Sequence, residues 1–208
     1  MLKIESSIYS IFPYPVYTSF LKNSLTKEQI NKAIKLIEDN PYKNSGNFHT
    51  TDTYVLNKNY FKKLKKQLEV IVKDYFDKII CPKYDIQPYI TQSWLNSTKE
   101  GNFHHQHAHP NSIVSGVLYF SADLEHDKIF FSKNKYEQIF IEKKTFNLYN
   151  SSSWFFPIKK DQVILFPSDL QHHVQIKKEN NLRLSLAFNV FIRGKLGETM
   201  SLTELILK

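Results

Sequence analysis

From residue 88 onward the chain is a succession of short β-branched and aromatic runs separated by turn residues: YITQSWL (89–95), SIVSGVLYF (112–120), KIFFS (128–132), QIFIE (138–142), QVILF (162–166) and RLSLAFNVFI (183–192). With no helical pattern between them, so many short strands indicate an antiparallel sandwich or barrel. The first third reads differently. TKEQINKAIKLIEDN (26–40) places Ile30, Ala33, Ile34 and Ile37 at helical spacing behind Thr26 as N-cap. NKNYFKKLKKQLEVIVKDYFDKI (57–79) repeats the pattern with Phe61, Leu64, Leu68, Ile71 and Tyr75 and stops before Pro82. Tyr75 is expected to bury its ring and leave its hydroxyl in water. The predicted architecture is mainly β: a double-stranded β-helix (jelly-roll) core flanked by two N-terminal α-helices. No linker suggests a second domain, so residues 1–208 read as one, with helical support over about 20–80 and the jelly roll over about 86–195.

Bulk properties narrow the function classes. The net charge of +8 invites a nucleic-acid partner, but the lysines are scattered and only Arg183 and Arg193 are arginines, the residue that phosphate- and base-reading surfaces usually enrich. A solvated lysine-rich surface is the better reading. The lone Cys81 rules out an internal disulfide and a multi-cysteine zinc site. The apolar runs are far shorter than the ~20 residues that cross a bilayer, and MLKIESSIYSIFPYPVY lacks a signal-peptide pattern. The expectation is a cytoplasmic protein with no membrane partner.

Histidine is neither a good core filler nor a durable surface charge, yet GNFHHQHAHPNS (101–112) holds four of the eight: His104, His105, His107 and His109. His172 and His173 follow further on, leaving only His49 and His126 outside these groups. The i, i+2 spacing of His107 and His109 places both rings on one face of an extended strand, and His172, at a strand junction of the same β-core, is the candidate third ligand. Three protein ligands with open positions suit an iron centre that must also bind a co-substrate and oxygen. On the last strand, Leu184, Leu186, Phe188, Val190 and Ile192 alternate with Arg183, Ser185, Ala187 and Asn189. An arginine projecting into the barrel can hold a carboxylate bidentately, with the Ser185 hydroxyl beside it. The bland alternative is an ion pair of Arg183 with Asp169 or Glu179.

At these residues the chain resembles the Fe(II)- and 2-oxoglutarate-dependent oxygenases, and within them a group of bacterial and phage proteins related to prolyl hydroxylases. The resemblance runs through IFPYPVY, SWLNSTKEGNFHHQHAHPNSIVSGVLYF, DQVILFPSDLQHHVQ and RLSLAFN. It implies His107, His109 and His172 as iron ligands, and Arg183, Ser185 and Tyr119 around the distal carboxylate of 2-oxoglutarate, with Asn96 a weaker candidate for the same pocket. It also implies Fe(II) as cofactor and 2-oxoglutarate as co-substrate, and is compatible with ascorbate as an accessory reductant. The implied reaction is decarboxylation of 2-oxoglutarate to succinate and CO2 coupled to C–H hydroxylation of a peptide or protein side chain or a small molecule.

One position departs from the family's pattern. Most members carry a carboxylate where this chain has His109. Either His109 is a genuine ligand, or the pair is His105 with His107, or a carboxylate arrives from elsewhere; Pro110 favours His107 with His109. His104 and His105 are then rim or supporting residues, and His173 faces away from the metal. Competing readings are a nucleic-acid demethylase of the same superfamily, a cupin-like metal-binding jelly roll without oxygenase activity, and a structural β-module with a degenerate pocket. The first of these commonly carries a second inward arginine on the last strand, where this chain has Asn189. Segments 121–138 and 147–154 are the candidate loops over the site.

Overall fold

The alternation along the last long strand sets the layering of the whole molecule. A computed structural model of the chain describes residues 4–133 and 138–208. Its elements run in the order β1 (Tyr17–Phe20), α1 (Lys27–Asp39), β2 (Pro41–Lys43), β3 (Phe48–Thr50), α2 (Lys62–Tyr75), β4 (Gln87–Thr98), β5 (His104–His107), β6 (Val114–Ser121), β7 (Lys128–Ser132), β8 (Ser153–Pro157), β9 (Gln162–Pro167), β10 (Gln171–Val174), β11 (Arg183–Leu196) and β12 (Leu205–Leu207). The strands form a large sheet in the order β1-β9-β6-β11-β4-β3-β2, with β12 added to β11, and a smaller sheet in the order β5-β10-β7-β8. The named strand pairs are antiparallel. This is the expected jelly roll, although the two sheets do not close into a continuous barrel.

β11 runs through the middle of the large sheet, between β4 and β6. Its apolar row, Leu184, Leu186, Phe188, Val190 and Ile192, joins one cluster with Ala33 and Ile37 of α1 and Leu64, Leu68 and Val72 of α2. The helices therefore cover the outer face of the large sheet. Each such side chain contributes on the order of 1.5–3 kcal/mol on burial, so this row locks the register of β11. Its other row, Arg183, Ser185, Ala187 and Asn189, is thereby turned inward between the sheets, since side chains alternate along a strand. A second cluster fills part of that interior, with Val117, Tyr119, Ile164 and Phe166 from the large sheet against Ile129 and Phe131 from the smaller one.

Local chemistry explains the helix ends. Thr26 caps α1 as expected: its hydroxyl accepts the Gln29 N–H at 3.1 Å while the Gln29 side chain accepts the Thr26 N–H at 3.0 Å. The second helix is shorter than the 57–79 pattern, since 3₁₀ turns at Val55–Asn57 and Asn59–Phe61 precede it and a π-helical turn at Phe76–Ile80 follows it. Cys81, in the left-handed region at φ 48°, ends the turn before Pro82. Tyr75 is buried outright, at 1% exposure, instead of reaching the surface. Tyr17 of β1 packs edge-on against its ring and donates its own hydroxyl to Asp74 at 2.6 Å.

Other expectations need correction. QIFIE is not a strand, and Ile139, Phe140 and Ile141 are exposed; β8 takes the place beside β7 that such a strand would need. The candidate loop 121–138 contains β7, its residues 134–137 lie outside the described residues, and 147–154 runs into β8. Among the described residues no helix is long and apolar enough to cross a membrane.

Gly116 shows how tightly β6 and β11 meet. It pairs with Phe188, and a Cβ built on it would lie 2.1 Å from that ring. Gly116→Ala is expected to destabilise the fold by about 1–3 kcal/mol or more through overpacking, read as a lowered urea midpoint with an unchanged slope.

Candidate metal centre and adjoining cavity

The pairing of two short strands assembles the histidines. β10 runs antiparallel to β5 with His172 opposite His107 and Val174 opposite His104. His109 lies two positions beyond β5, its backbone N–H held by the Ser168 carbonyl at 2.9 Å. Ligand atoms of His107, His109 and His172 all fall within 4.8 Å of one another, and among the described residues these three form the group able to hold a metal ion. No carboxylate belongs to it.

Each of the three rings has its Nδ1 engaged. Nδ1 of His107 lies 2.8 Å from the His105 carbonyl, that of His172 lies 3.2 Å from the Leu170 carbonyl, and that of His109 lies 2.7 Å from Asn189 Oδ1 and 2.9 Å from Ser115 Oγ. A carbonyl oxygen can only accept, so these contacts place the proton on Nδ1 and leave each Nε2 lone pair free. Burial holds all three imidazoles below their usual range, His109 at about 4 and His172 well below 6.5. Neutral imidazoles with oriented Nε2 atoms are the form that binds a metal. The chemistry of this donor set fits a divalent ion of the iron type.

Asn189 is the support that the sequence reading placed correctly on the inner face but gave no task. Asn189→Leu removes the acceptor that orients His109 and is expected to weaken metal binding about 10–100-fold, measured by titration of the metal-free protein. The remaining histidines take peripheral places. His104 stacks on His107 with ring centroids 4.5 Å apart and is held at about 3 by burial. His105 lies outside the three-ligand group, its buried Nδ1 without a partner. His173 stacks on Phe130, on the other side of β10 from His172.

The other predicted residues meet in the cavity beside these rings. Across the large sheet Ser185 pairs with Asn96 of β4 and with Tyr119 of β6, and Arg183 pairs with Thr98. Asn96, Tyr119, Arg183 and Ser185 all line the cavity that His107, His109 and His172 line, with Val117, Ile129 and Phe166 as apolar wall. Burial pushes the Tyr119 phenol well above its ordinary value, so it stays an O–H donor. Two buried polar atoms in this cavity are orphaned: Nη2 of Arg183 and Oδ1 of Asn96. A native interior rarely leaves a guanidinium arm and an amide oxygen unsatisfied, and such atoms mark a place for a polar ligand.

Arg183 is also an ion-pair partner, but not of Asp169 or Glu179. Its Nη1 lies 3.4 Å from Asp127 Oδ1, and the same oxygen accepts from Lys177 Nζ at 2.9 Å. Glu179 instead lies 3.8 Å from Lys177. Asp127, Lys177 and Arg183 are all buried, at 2%, 3% and 4% exposure. Sequence reasoning missed Asp127 and Lys177 because both sit in lysine- and acid-rich connections that look like solvated surface.

The fold is a jelly roll of the double-stranded β-helix class, and its three neutral imidazoles beside a buried cation make a candidate metal site. Residues 92–189 match the family model described as "Putative 2OG-Fe(II) oxygenase", and this stretch carries the three histidines, Asn96, Tyr119, Arg183 and Ser185. Over that stretch the chain is similar to the 2OG-Fe(II) oxygenases, the family its motifs resemble. Solved structures share the fold. HygX from Streptomyces hygroscopicus, with nickel, 2-oxoglutarate and hygromycin B bound, is 10% identical, with 85% of this chain and 82% of that one covered at a TM-score of 0.57. A Pseudomonas putida prolyl-4-hydroxylase is 13% identical over 85% of this chain and 92% of that one, at 0.54. The epimerase SnoN from nogalamycin biosynthesis, in complex with Fe3+, alpha ketoglutarate and nogalamycin RO, is 7% identical over 86% and 79%, at 0.60. No curated protein sequence matches the chain.

Proposed function

We propose that this protein is an Fe(II)- and 2-oxoglutarate-dependent oxygenase that hydroxylates an uncharged peptide side chain or small molecule, releasing succinate and CO2. The observation that carries the reading is one cavity lined both by three imidazoles with free Nε2 atoms and by Arg183, whose Nη2 is orphaned. Bound there, Fe(II) and 2-oxoglutarate supply the oxygen-activating redox chemistry that no side chain can. His107, His109 and His172 hold the metal. Arg183 receives the distal carboxylate of the co-substrate through a charge-assisted hydrogen bond. The hydroxyls of Ser185 and Tyr119 donate to the same group, and Asn96 supports the pocket beside them. Val117, Ile129 and Phe166 exclude water, which strengthens each of these contacts.

The substrate side is read from a second opening. A groove of about 450 Å3 is lined by His109 together with Thr91, Gln92, Trp94, Pro110, Asn111 and Asn189. It shares Trp94 and His109 with the metal cavity. Its lining offers carboxamides and an aromatic face but no Lys or Arg, whereas nucleic-acid recognition rests on cations against phosphate. This favours a neutral peptide or small molecule over an oligonucleotide. The relatives themselves span a prolyl-4-hydroxylase and an epimerase, so hydroxylation is our choice among oxidative outcomes.

The test is anaerobic addition of Fe(II) and 2-oxoglutarate to the folded protein. A weak visible metal-to-ligand charge-transfer band is expected. Its absence from folded, iron-loaded protein overturns the reading. Succinate release screened over neutral peptides, free amino acids, small polar molecules and oligonucleotides then identifies the substrate class.

A further inference from the structure

Arg183 does not stand alone, and the company it keeps poses an electrostatic problem. Asp127 is shared by two cations: Oδ1 takes Lys177 at 2.9 Å and Arg183 at 3.4 Å, while Oδ2 accepts the backbone N–H of Asp123 at 2.9 Å. The Lys177 side chain is fully buried and that of Arg183 is 5% exposed. Arg183 and Asp127 by themselves would form a neutral pair, and a neutral pair is a poor receptor for a carboxylate. Lys177 changes the count, leaving two buried positive charges against one negative. Glu179 is 3.8 Å from Lys177 and 31% exposed, so solvent screens it, and no contact of it with Arg183 is seen. An excess buried cation is costly until an anion arrives.

We propose that Lys177 is a positioning residue that prepares Arg183 for the distal carboxylate of the co-substrate: it takes up the charge of Asp127, which the guanidinium would otherwise have to itself, so that the positive charge on Nη2 is not cancelled. The inference rests on the co-substrate assignment above and deepens it. It makes an unusual demand on the two partners of one buried ion pair. Removing the lysine must weaken co-substrate binding, whereas removing the aspartate must not, because the cation excess then grows. If the cluster were only a structural brace, both changes would loosen Arg183 and act in the same direction.

The experiment measures 2-oxoglutarate affinity in the Fe(II)-loaded protein under anaerobic conditions, by the charge-transfer band and by the ligand-induced rise in melting temperature. Lys177→Met is expected to raise the Kd for 2-oxoglutarate about tenfold or more. Asp127→Asn is expected to leave that Kd unchanged or lower it while reducing the melting temperature of the ligand-free protein, since two buried cations lose their counter-charge. Lys177→Arg keeps the charge and should stay within about threefold of wild type, which guards against a methionine variant that folds poorly. Affinity for 2-oxovalerate, a 2-oxo acid without a distal carboxylate, should not respond to Lys177→Met. An unchanged 2-oxoglutarate Kd in Lys177→Met overturns the proposal, as does an equal loss in Asp127→Asn, or an equal loss of 2-oxovalerate affinity in Lys177→Met. If the wild-type protein itself shows no response to 2-oxoglutarate, the co-substrate assignment fails instead.

Discussion

Replacing Arg183 by alanine is expected to weaken 2-oxoglutarate binding by about 100-fold or more and to leave the metal content of the protein nearly unchanged. The size follows from losing a buried charge-assisted contact, which costs roughly 2–5 kcal/mol, with each ~1.4 kcal/mol a factor of ten. The selectivity follows from position. Arg183 sits on β11 in the large sheet, while His107 and His172 lie on β5 and β10 of the smaller one. The variant should also fold, because Lys177 and Asp127 remain a hydrogen-bonded, charge-balanced pair at 2.9 Å once the guanidinium is gone. Metal content by elemental analysis and 2-oxoglutarate binding by the charge-transfer band make the two measurements. Equal loss of metal and co-substrate would make Arg183 a structural residue.

The second large effect concerns His109. His109→Ala is expected to lower metal affinity by about 100-fold or more, since the candidate three-histidine group keeps only two donors and Asn189 and Ser115 each lose the ring they contact. His105→Ala, by contrast, should change metal affinity by less than about threefold, because its ring is outside the ligand group. His109→Asp should retain the metal, as a carboxylate supplies an oxygen ligand and neutralises part of the ion's charge. Metal titration of the three variants distinguishes the possibilities. A wild-type affinity in His109→Ala together with a large loss in His105→Ala would exchange the roles of the two residues.

Much of the fold is legible because burial imposes periodicity. The apolar stripe of 26–40, with Thr26 and Gln29 at its head, makes α1 and its capping box before any tertiary contact is known. The strict alternation of 183–192 likewise predicts a strand with one apolar face. QIFIE misled because a short apolar run has no period of its own, and only the sheet shows that β8, not 138–142, lies beside β7. Tyr75 misled because the helix stripe cannot show that Tyr17 packs against it. Short strands such as β1, β2 and β3 carry too few residues to signal at all.

The site divides along the same line. The i, i+2 spacing of Arg183 and Ser185 is local, so the sequence by itself determined that these two share a strand face, whereas His109 lies beyond the end of β5 and meets His107 outside a strand. It determined too that the chain resembles the 2OG-Fe(II) oxygenases. That β10 lies against β5, setting His172 opposite His107, is a long-range pairing whose register no local pattern encodes. The same holds for the partners of the functional groups. Asn189 reaches His109 across 80 positions, and Asp127 reaches Arg183 across 56. Hydrogen bonds and ion pairs of this kind depend on distances of a few ångströms between segments far apart in the chain. Only the tertiary structure could decide that the absent carboxylate of the metal group has no substitute among the described residues, and that the single inward arginine is backed by a buried lysine.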